Sequence, residues 1–306
     1  MADQINPAAP RVGFLDQYCR GKIFLFMPNV CDAECAFCYV KPSRVDFARI
    51  SAGVMQRAVA LMKALYSRGL REVRITGGEP LVFENLEDLV AGLQEASLAY
   101  TVLTNGINLP KAVPWLLRRR PSKITVSVHS LSRVEEVYQR PVVIGDTIEA
   151  MSDLVAADIP VSASIVCLPE ILPEIQETLS RLHHAGIRDY KLIHPNDDRY
   201  TVTGADFRTI AASARMTLPQ NSRLRFSDTA ETACLLTRQG ELSVSLPRFE
   251  WSWCCATVGS DSLGTATSLG EFDPIARSLM ERVRRITDLP CHNQGFCPIA
   301  LTEPEK

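Results

Sequence analysis

Three cysteines fall within eight residues, Cys31-Asp32-Ala33-Glu34-Cys35-Ala36-Phe37-Cys38, at the spacing C-x3-C-x2-C with an aromatic residue before the last. Nothing else in the chain constrains its fold as strongly. Thiolates gathered this closely are soft ligands, suited to zinc or to an iron–sulfur cluster. Just before them runs Ile23-Phe24-Leu25-Phe26-Met27, an unbroken apolar run expected of a buried strand. The thiols therefore lie in a loop that leaves the end of a core strand. An ordinary 4Fe-4S cluster takes four cysteines, and this loop offers three. An open metal position is the mark of a catalytic site rather than a structural one.

The chain after the loop alternates between two periods. Val54, Ala58, Leu61, Met62 and Leu65 recur at helical spacing, with Ser51 as N-cap and Gly69 as the stop. Glu72 to Thr76 then has the pattern of a strand, ending at Gly77-Gly78-Glu79-Pro80. Further strands are expected at Tyr100–Thr104, Lys123–Val128, Val161–Cys167 and Tyr190–Ile193, with helices between them. Six strands alternating with five helices predict a parallel sheet covered by helices. In such folds chemistry gathers at the carboxyl ends of the strands. Those ends carry the cysteine loop, Gly77–Pro80, Thr104-Asn105-Gly106, Ser127–Ser130, Val166–Glu170 and His194–Asn196.

With these residues in place, the chain resembles the radical S-adenosylmethionine (SAM) enzymes, in the group of the molybdenum-cofactor cyclase and the SPASM/twitch enzymes. The resemblance covers residues 21 to about 195 and implies a partial (β/α)6 TIM-like barrel. It implies that Cys31, Cys35 and Cys38 hold a 4Fe-4S cluster whose open iron is chelated by SAM. It implies that Gly77, Gly78 and Glu79 hold the SAM amino group, with Thr104 and Arg140 near its carboxylate. Ser127 would contact the ribose, Val166 would border the adenine, and Phe37 would be among the cofactor-binding residues. His129 lies two residues beyond Ser127, so it points the same way if the strand persists. It is a candidate for a role on the substrate side.

Ten cysteines are many for a chain of this size, and five of them follow residue 230. Without a secretion signal, clustered cysteines suggest metal ligands rather than disulfides. Cys234, Cys254, Cys255, Cys291 and Cys297 surround an alternating strand at Glu241–Leu246 and an amphipathic helix carrying Phe272, Ile275, Ala276 and Leu279. That order resembles the twitch and reduced SPASM extensions, which implies a second 4Fe-4S cluster. The chain is thus read as a lead-in over 1–20, a barrel over 21–195 and a cysteine-containing α+β extension over 196–306.

The formal net charge of −2 leaves no nucleic-acid footprint. No apolar run reaches the length of a membrane span, and Met1-Ala2-Asp3-Gln4 begins no signal peptide, so a cytoplasmic location is expected. The resemblance implies reductive cleavage of SAM and hydrogen abstraction from a substrate, with a flavodoxin- or ferredoxin-type electron donor. Only about twenty residues precede the barrel, which favours a small molecule over a peptide substrate. An iron–sulfur electron carrier and a zinc-stapled binding protein are the alternatives from other classes.

Overall fold

The computed structural model describes residues 14–38, 41–193, 195, 204–227, 242–252 and 262–285. Helix α1 (Phe14–Cys19) precedes strand β1 (Lys22–Phe26) and the short strands β2 (Val30–Cys31) and β3 (Ser43–Arg44). Next come α2 (Ala52–Leu65), β4 (Glu72–Thr76), α3 (Leu86–Glu95), β5 (Ala99–Thr104), α4 (Leu109–Arg119) and β6 (Lys123–Ser127). The chain continues through α5 (Val134–Tyr138), α6 (Ile144–Ala156), β7 (Val161–Val166), α7 (Ile175–His184), β8 (Asp189–Ile193), α8 (Gly204–Thr217) and β9 (Arg223–Ser227). The last described elements are β10 (Ser243–Ser245), β11 (Glu250–Ser252), β12 (Ser262–Thr265) and α9 (Leu269–Arg285).

Ten strands form one sheet in the order β12-β11-β10-β1-β4-β5-β6-β7-β8-β9, with β2 and β3 paired apart. From β10 to β9 every neighbouring pair is parallel, whereas β11 and β12 run antiparallel. β9 and β12 stand at opposite ends of the sheet, so it is a partial barrel rather than a closed one. The six expected strands are all present, and Ser51 caps α2 by accepting from the Val54 N–H.

Two expectations change. Residues 14–19 are not an irregular lead-in: they form α1, which buries Phe14 and Leu15 in the core beside β1. Six residues are too few to show a period, and only packing against a neighbour holds so short a helix. Nor does the βα rhythm stop near residue 195, because α8 and β9 add another parallel unit, with Arg223 opposite Asp189. The alternating Arg223-Leu224-Arg225-Phe226-Ser227 shows a strand in sequence but not its partner.

The period-2 alternation of the strands separates two environments. Val73 and Ile75, Ile124 and Val126, and Tyr190 and Leu192 are buried in the apolar cores shared with the helices. The intervening residues are polar and hold ion pairs at the amino ends of the strands. Glu72 meets Lys22 at 2.9 Å and Arg74 at 3.2 Å, and Asp189 meets Lys123 at 2.5 Å and Arg225 at 2.8 Å. The amino end is thus laced by charge, and the carboxyl end is left for the site.

The C-terminal helix α9 seats Phe272 between Trp251, at 4.9 Å between ring centroids, and Phe14, at 6.3 Å. Arg68 adds a two-toothed clamp, giving Nε and Nη2 to the Asp273 carboxylate at 3.2 and 3.0 Å. Both partners retain some solvent, which weakens the pair. Arg68→Ala is expected to cost about 1 kcal/mol in urea unfolding, and an unchanged midpoint would show the clamp to be idle.

Candidate active site

The cysteine loop leaves β1 and folds directly onto the turn after β4. The Glu79 N–H donates to the Val30 carbonyl at 2.8 Å, and the Met27 N–H donates to the Thr76 carbonyl at 2.8 Å. This approach needs glycine. Gly77 has φ +133°, and a Cβ there would lie 2.8 Å from the Met27 nitrogen. At Gly78 a Cβ would lie 1.9 Å from the Val30 oxygen. The glycines therefore let the loop and the turn share one surface.

Glu79 is 1% exposed, and its carboxylate accepts three neutral donors. Oε1 takes the Thr104 hydroxyl at 2.6 Å and the Leu81 N–H at 2.8 Å, and Oε2 takes the Asn105 N–H at 2.6 Å. Burial first, then the charge on Asp32, pushes Glu79 up to about 8, against the pull of those donors. A cation placed against this carboxylate would relieve that cost. Thr104, expected near the SAM carboxylate, thus spends its hydroxyl on Glu79.

Asp32, passed over in sequence as a spacer between cysteines, is also 1% exposed. Its Oδ1 accepts Asn105 Nδ2 at 2.6 Å and its Oδ2 accepts Asn108 Nδ2 at 2.7 Å. Arg140 Nη1 donates to the Asp32 carbonyl at 2.5 Å and lies 3.6 Å from Asp46. Arg140 Nε is buried without a hydrogen-bond partner among the described residues. An orphan buried donor normally has a purpose.

Cys31 is buried, and its sulfur receives the Ala33 N–H at 3.3 Å and Asn105 Nδ2 at 3.6 Å. Cys35 and Cys38 are half-buried, and the Cys38 N–H donates to the Cys35 carbonyl at 2.9 Å. Burial pushes the Cys31 and Cys35 thiols up to about 12. Metal loading there must therefore release protons. Among the described residues no three His, Cys, Asp or Glu side chains converge on a point for a single ion. A 4Fe-4S cluster, which takes one thiolate at each of three irons here, does not require such convergence.

His129 is buried, and burial drives its pKa down to about 3. Its Nδ1 accepts the Val166 N–H at 3.1 Å, so the ring's acceptor nitrogen is already used. The ring packs 4.8 Å from Phe37, edge to face, and 5.6 Å from Tyr138. His129 thus braces Phe37 and the end of β7. Ser127 Oγ lies 3.2 Å from Ser164 Oγ across the β6–β7 pair. Tyr138, also missed in sequence, donates to the Ser127 carbonyl at 2.8 Å, and its own carbonyl receives the Glu34 N–H at 3.1 Å. Cys19 and Cys167 sit in the apolar cores. Cys234, Cys254, Cys255, Cys291 and Cys297 lie outside the described residues.

The model of the Radical SAM superfamily matches residues 25–182. The chain belongs to that superfamily. It is 33% identical over 142 residues to the GTP 3′,8-cyclase of Paenarthrobacter nicotinovorans, covering 44% of this chain and 39% of that protein. It is 30% identical over 129 residues to the human molybdenum cofactor biosynthesis protein 1, covering 40% of this chain and 20% of that protein. The chain therefore spans well under half the length of these relatives. In fold it is similar to Streptococcus suis SuiB bound to S-adenosylmethionine, with TM-score 0.65 and 14% identity over 89% of this chain and 66% of SuiB. It is also similar to anSMEcpe with bound AdoMet and a peptide, with TM-score 0.61 and 12% identity over 92% of this chain and 84% of that one. Radical SAM enzymes use a 4Fe-4S cluster and SAM, and the residues present fit both. Three thiols share one loop, glycines clear a surface beside it, a buried carboxylate has only neutral donors, and a buried guanidinium N–H is unpaired. No helix among the described residues is long and apolar enough to cross a membrane.

Proposed function

We propose that this radical SAM enzyme cleaves SAM reductively at a 4Fe-4S cluster held by Cys31, Cys35 and Cys38, and takes hydrogen from a small-molecule substrate. The observation that carries the reading is Glu79, a buried carboxylate with neutral donors only, held against the cysteine loop by its own N–H. Bound together, the cluster and SAM would supply one electron and the 5′-deoxyadenosyl radical. The chain's own residues bind and orient. Glu79 accepts from the SAM ammonium, and the unpaired Arg140 Nε meets its carboxylate. Gly77 and Gly78 give backbone access, Ser127 contacts the ribose, Val166 borders the adenine, and Phe37 is among the cofactor-binding residues.

Anaerobic reconstitution with SAM and dithionite is expected to yield 5′-deoxyadenosine. None, from protein with an intact cluster, would overturn the proposal. Glu79→Gln keeps the shape and removes the charge. It should weaken SAM binding by roughly 10- to 100-fold, the equivalent of one charge-assisted hydrogen bond. Equilibrium dialysis showing an unchanged Kd would remove Glu79 from the site.

A peptide substrate is the second reading. The similar structures include SuiB bound to precursor peptide SuiA and anSMEcpe with a bound peptide, and the likeness covers most of this chain. The names of the GTP 3′,8-cyclase relatives favour a small molecule. Comparing 5′-deoxyadenosine formation with low-mass and peptide fractions of one extract separates the two. The proposal extends to a second 4Fe-4S cluster on Cys234, Cys254 or Cys255, Cys291 and Cys297, and to a flavodoxin- or ferredoxin-type donor.

A further inference from the structure

Asn105 touches both the Glu79 side of this site and the cysteine loop, through different atoms. Its main-chain N–H is given to Glu79 Oε2 at 2.6 Å. Its side-chain Oδ1 accepts the Ile107 N–H at 2.9 Å, which locks the side chain across the turn after β5. That lock aims Nδ2 at the cysteine loop, where it lies 2.6 Å from Asp32 Oδ1 and 3.6 Å from Cys31 Sγ. An amide nitrogen carries two hydrogens, so it can serve the carboxylate and the sulfur at once. Asp32 also accepts Asn108 Nδ2 at 2.7 Å on its other oxygen, while the Asn105 side chain is held by its own bond to the Ile107 N–H.

We propose that Asn105 is a positioning residue that fixes the Cys31 sulfur and donates an N–H···S bond to it, so raising the reduction potential of the cluster bound there. The physical ground is general. Donors to cluster sulfurs favour the reduced, more negative state, and such bonds are among the terms that set cluster potentials. The Ala33 N–H already reaches the same sulfur at 3.3 Å, but it belongs to the loop itself. Asn105 comes from the turn after β5, so its bond reports whether loop and SAM side are docked. The inference rests on Cys31 being a cluster ligand.

The test uses the full chain, reconstituted anaerobically, and follows the reduced-cluster EPR signal that changes when SAM is added. That change marks the signal as the SAM-side cluster and not a second one. Asn105→Ala and Asn105→Ser are titrated against redox mediators beside wild type and Asn108→Ala. Serine keeps an oxygen for the Ile107 N–H but cannot reach the sulfur, so it serves where alanine disturbs the turn. Both Asn105 variants keep the main-chain bond to Glu79. The expected result is a midpoint shifted to more negative potential in the Asn105 variants, with Asn108→Ala unshifted despite losing support for Asp32. No shift in Asn105→Ser, or an equal shift in Asn108→Ala, would overturn the proposal by reducing Asn105 to loop support. Wild-type protein without any SAM-responsive cluster signal would instead overturn the assignment of Cys31 as a ligand.

Discussion

In a Cys31→Ala/Cys35→Ala/Cys38→Ala variant, iron content is expected to fall by about four atoms per chain, with 5′-deoxyadenosine formation falling to background. Cys31, Cys35 and Cys38 sit in the loop that leaves β1 at the carboxyl end of the sheet, where Glu79 and Arg140 also lie. Cys19 and Cys167 are buried in the apolar cores, outside the loop that carries the three thiols. The fold should survive, since the loop is held by hydrogen bonds from elsewhere. Val45 donates to the Cys31 carbonyl at 2.8 Å, Glu34 to the Tyr138 carbonyl at 3.1 Å, and Arg140 to the Asp32 carbonyl at 2.5 Å. Iron and sulfide analysis with circular dichroism checks both halves. Unchanged iron would place the cluster elsewhere. About four irons remaining in the variant would establish the second cluster on the C-terminal cysteines.

Gly78→Ala is expected to cost about 3 kcal/mol and to abolish SAM binding. Its added carbon would fall 1.9 Å from the Val30 carbonyl oxygen and 2.6 Å from that carbonyl carbon. Both are backbone atoms next to Cys31, so no side chain can turn aside to make room. Either the turn after β4 withdraws, taking the Glu79 N–H from Val30, or the cysteine loop is displaced. Gly145→Ala is the control, because nothing lies within 4 Å of a Cβ there and Gly145 is in α6. It should be neutral or gain up to about 1 kcal/mol, since alanine loses less backbone freedom. Denaturant midpoints compare the two directly. Equal midpoints would mean that loop and turn are not in contact.

Much of this arrangement was legible in the residues. The helices and parallel strands follow from two periods, and Cys31, Cys35 and Cys38 from their spacing. Gly77–Glu79 was legible because a glycine pair at a strand end demands close approach of something. What was illegible needs pairing across the fold. Asp32 between cysteines looks like any polar loop residue, and Asn108 before α4 like an ordinary cap. Only the meeting of two loops, the cysteine loop and the β5–α4 turn, makes one bonded group of Asp32, Asn105 and Asn108. His129 shows the reverse. Direction along a strand predicted a substrate-facing group, and burial with an N–H already on Nδ1 made it a brace for Phe37. Likewise the alternation near Val244 announced a strand, but not that β10 would lie parallel beside β1.

That pairing has a consequence in time. The strand that launches the cysteine loop is made early, yet its outer neighbour, residues 243–245, is made late. Until then β1 presents a bare row of main-chain donors and acceptors, the kind of edge that recruits foreign strands. Contacts so distant along the chain also close slowly. A nascent chain stalled before β10 would therefore be an aggregation hazard and a chaperone client, with Cys31, Cys35 and Cys38 already displayed on an unfinished sheet.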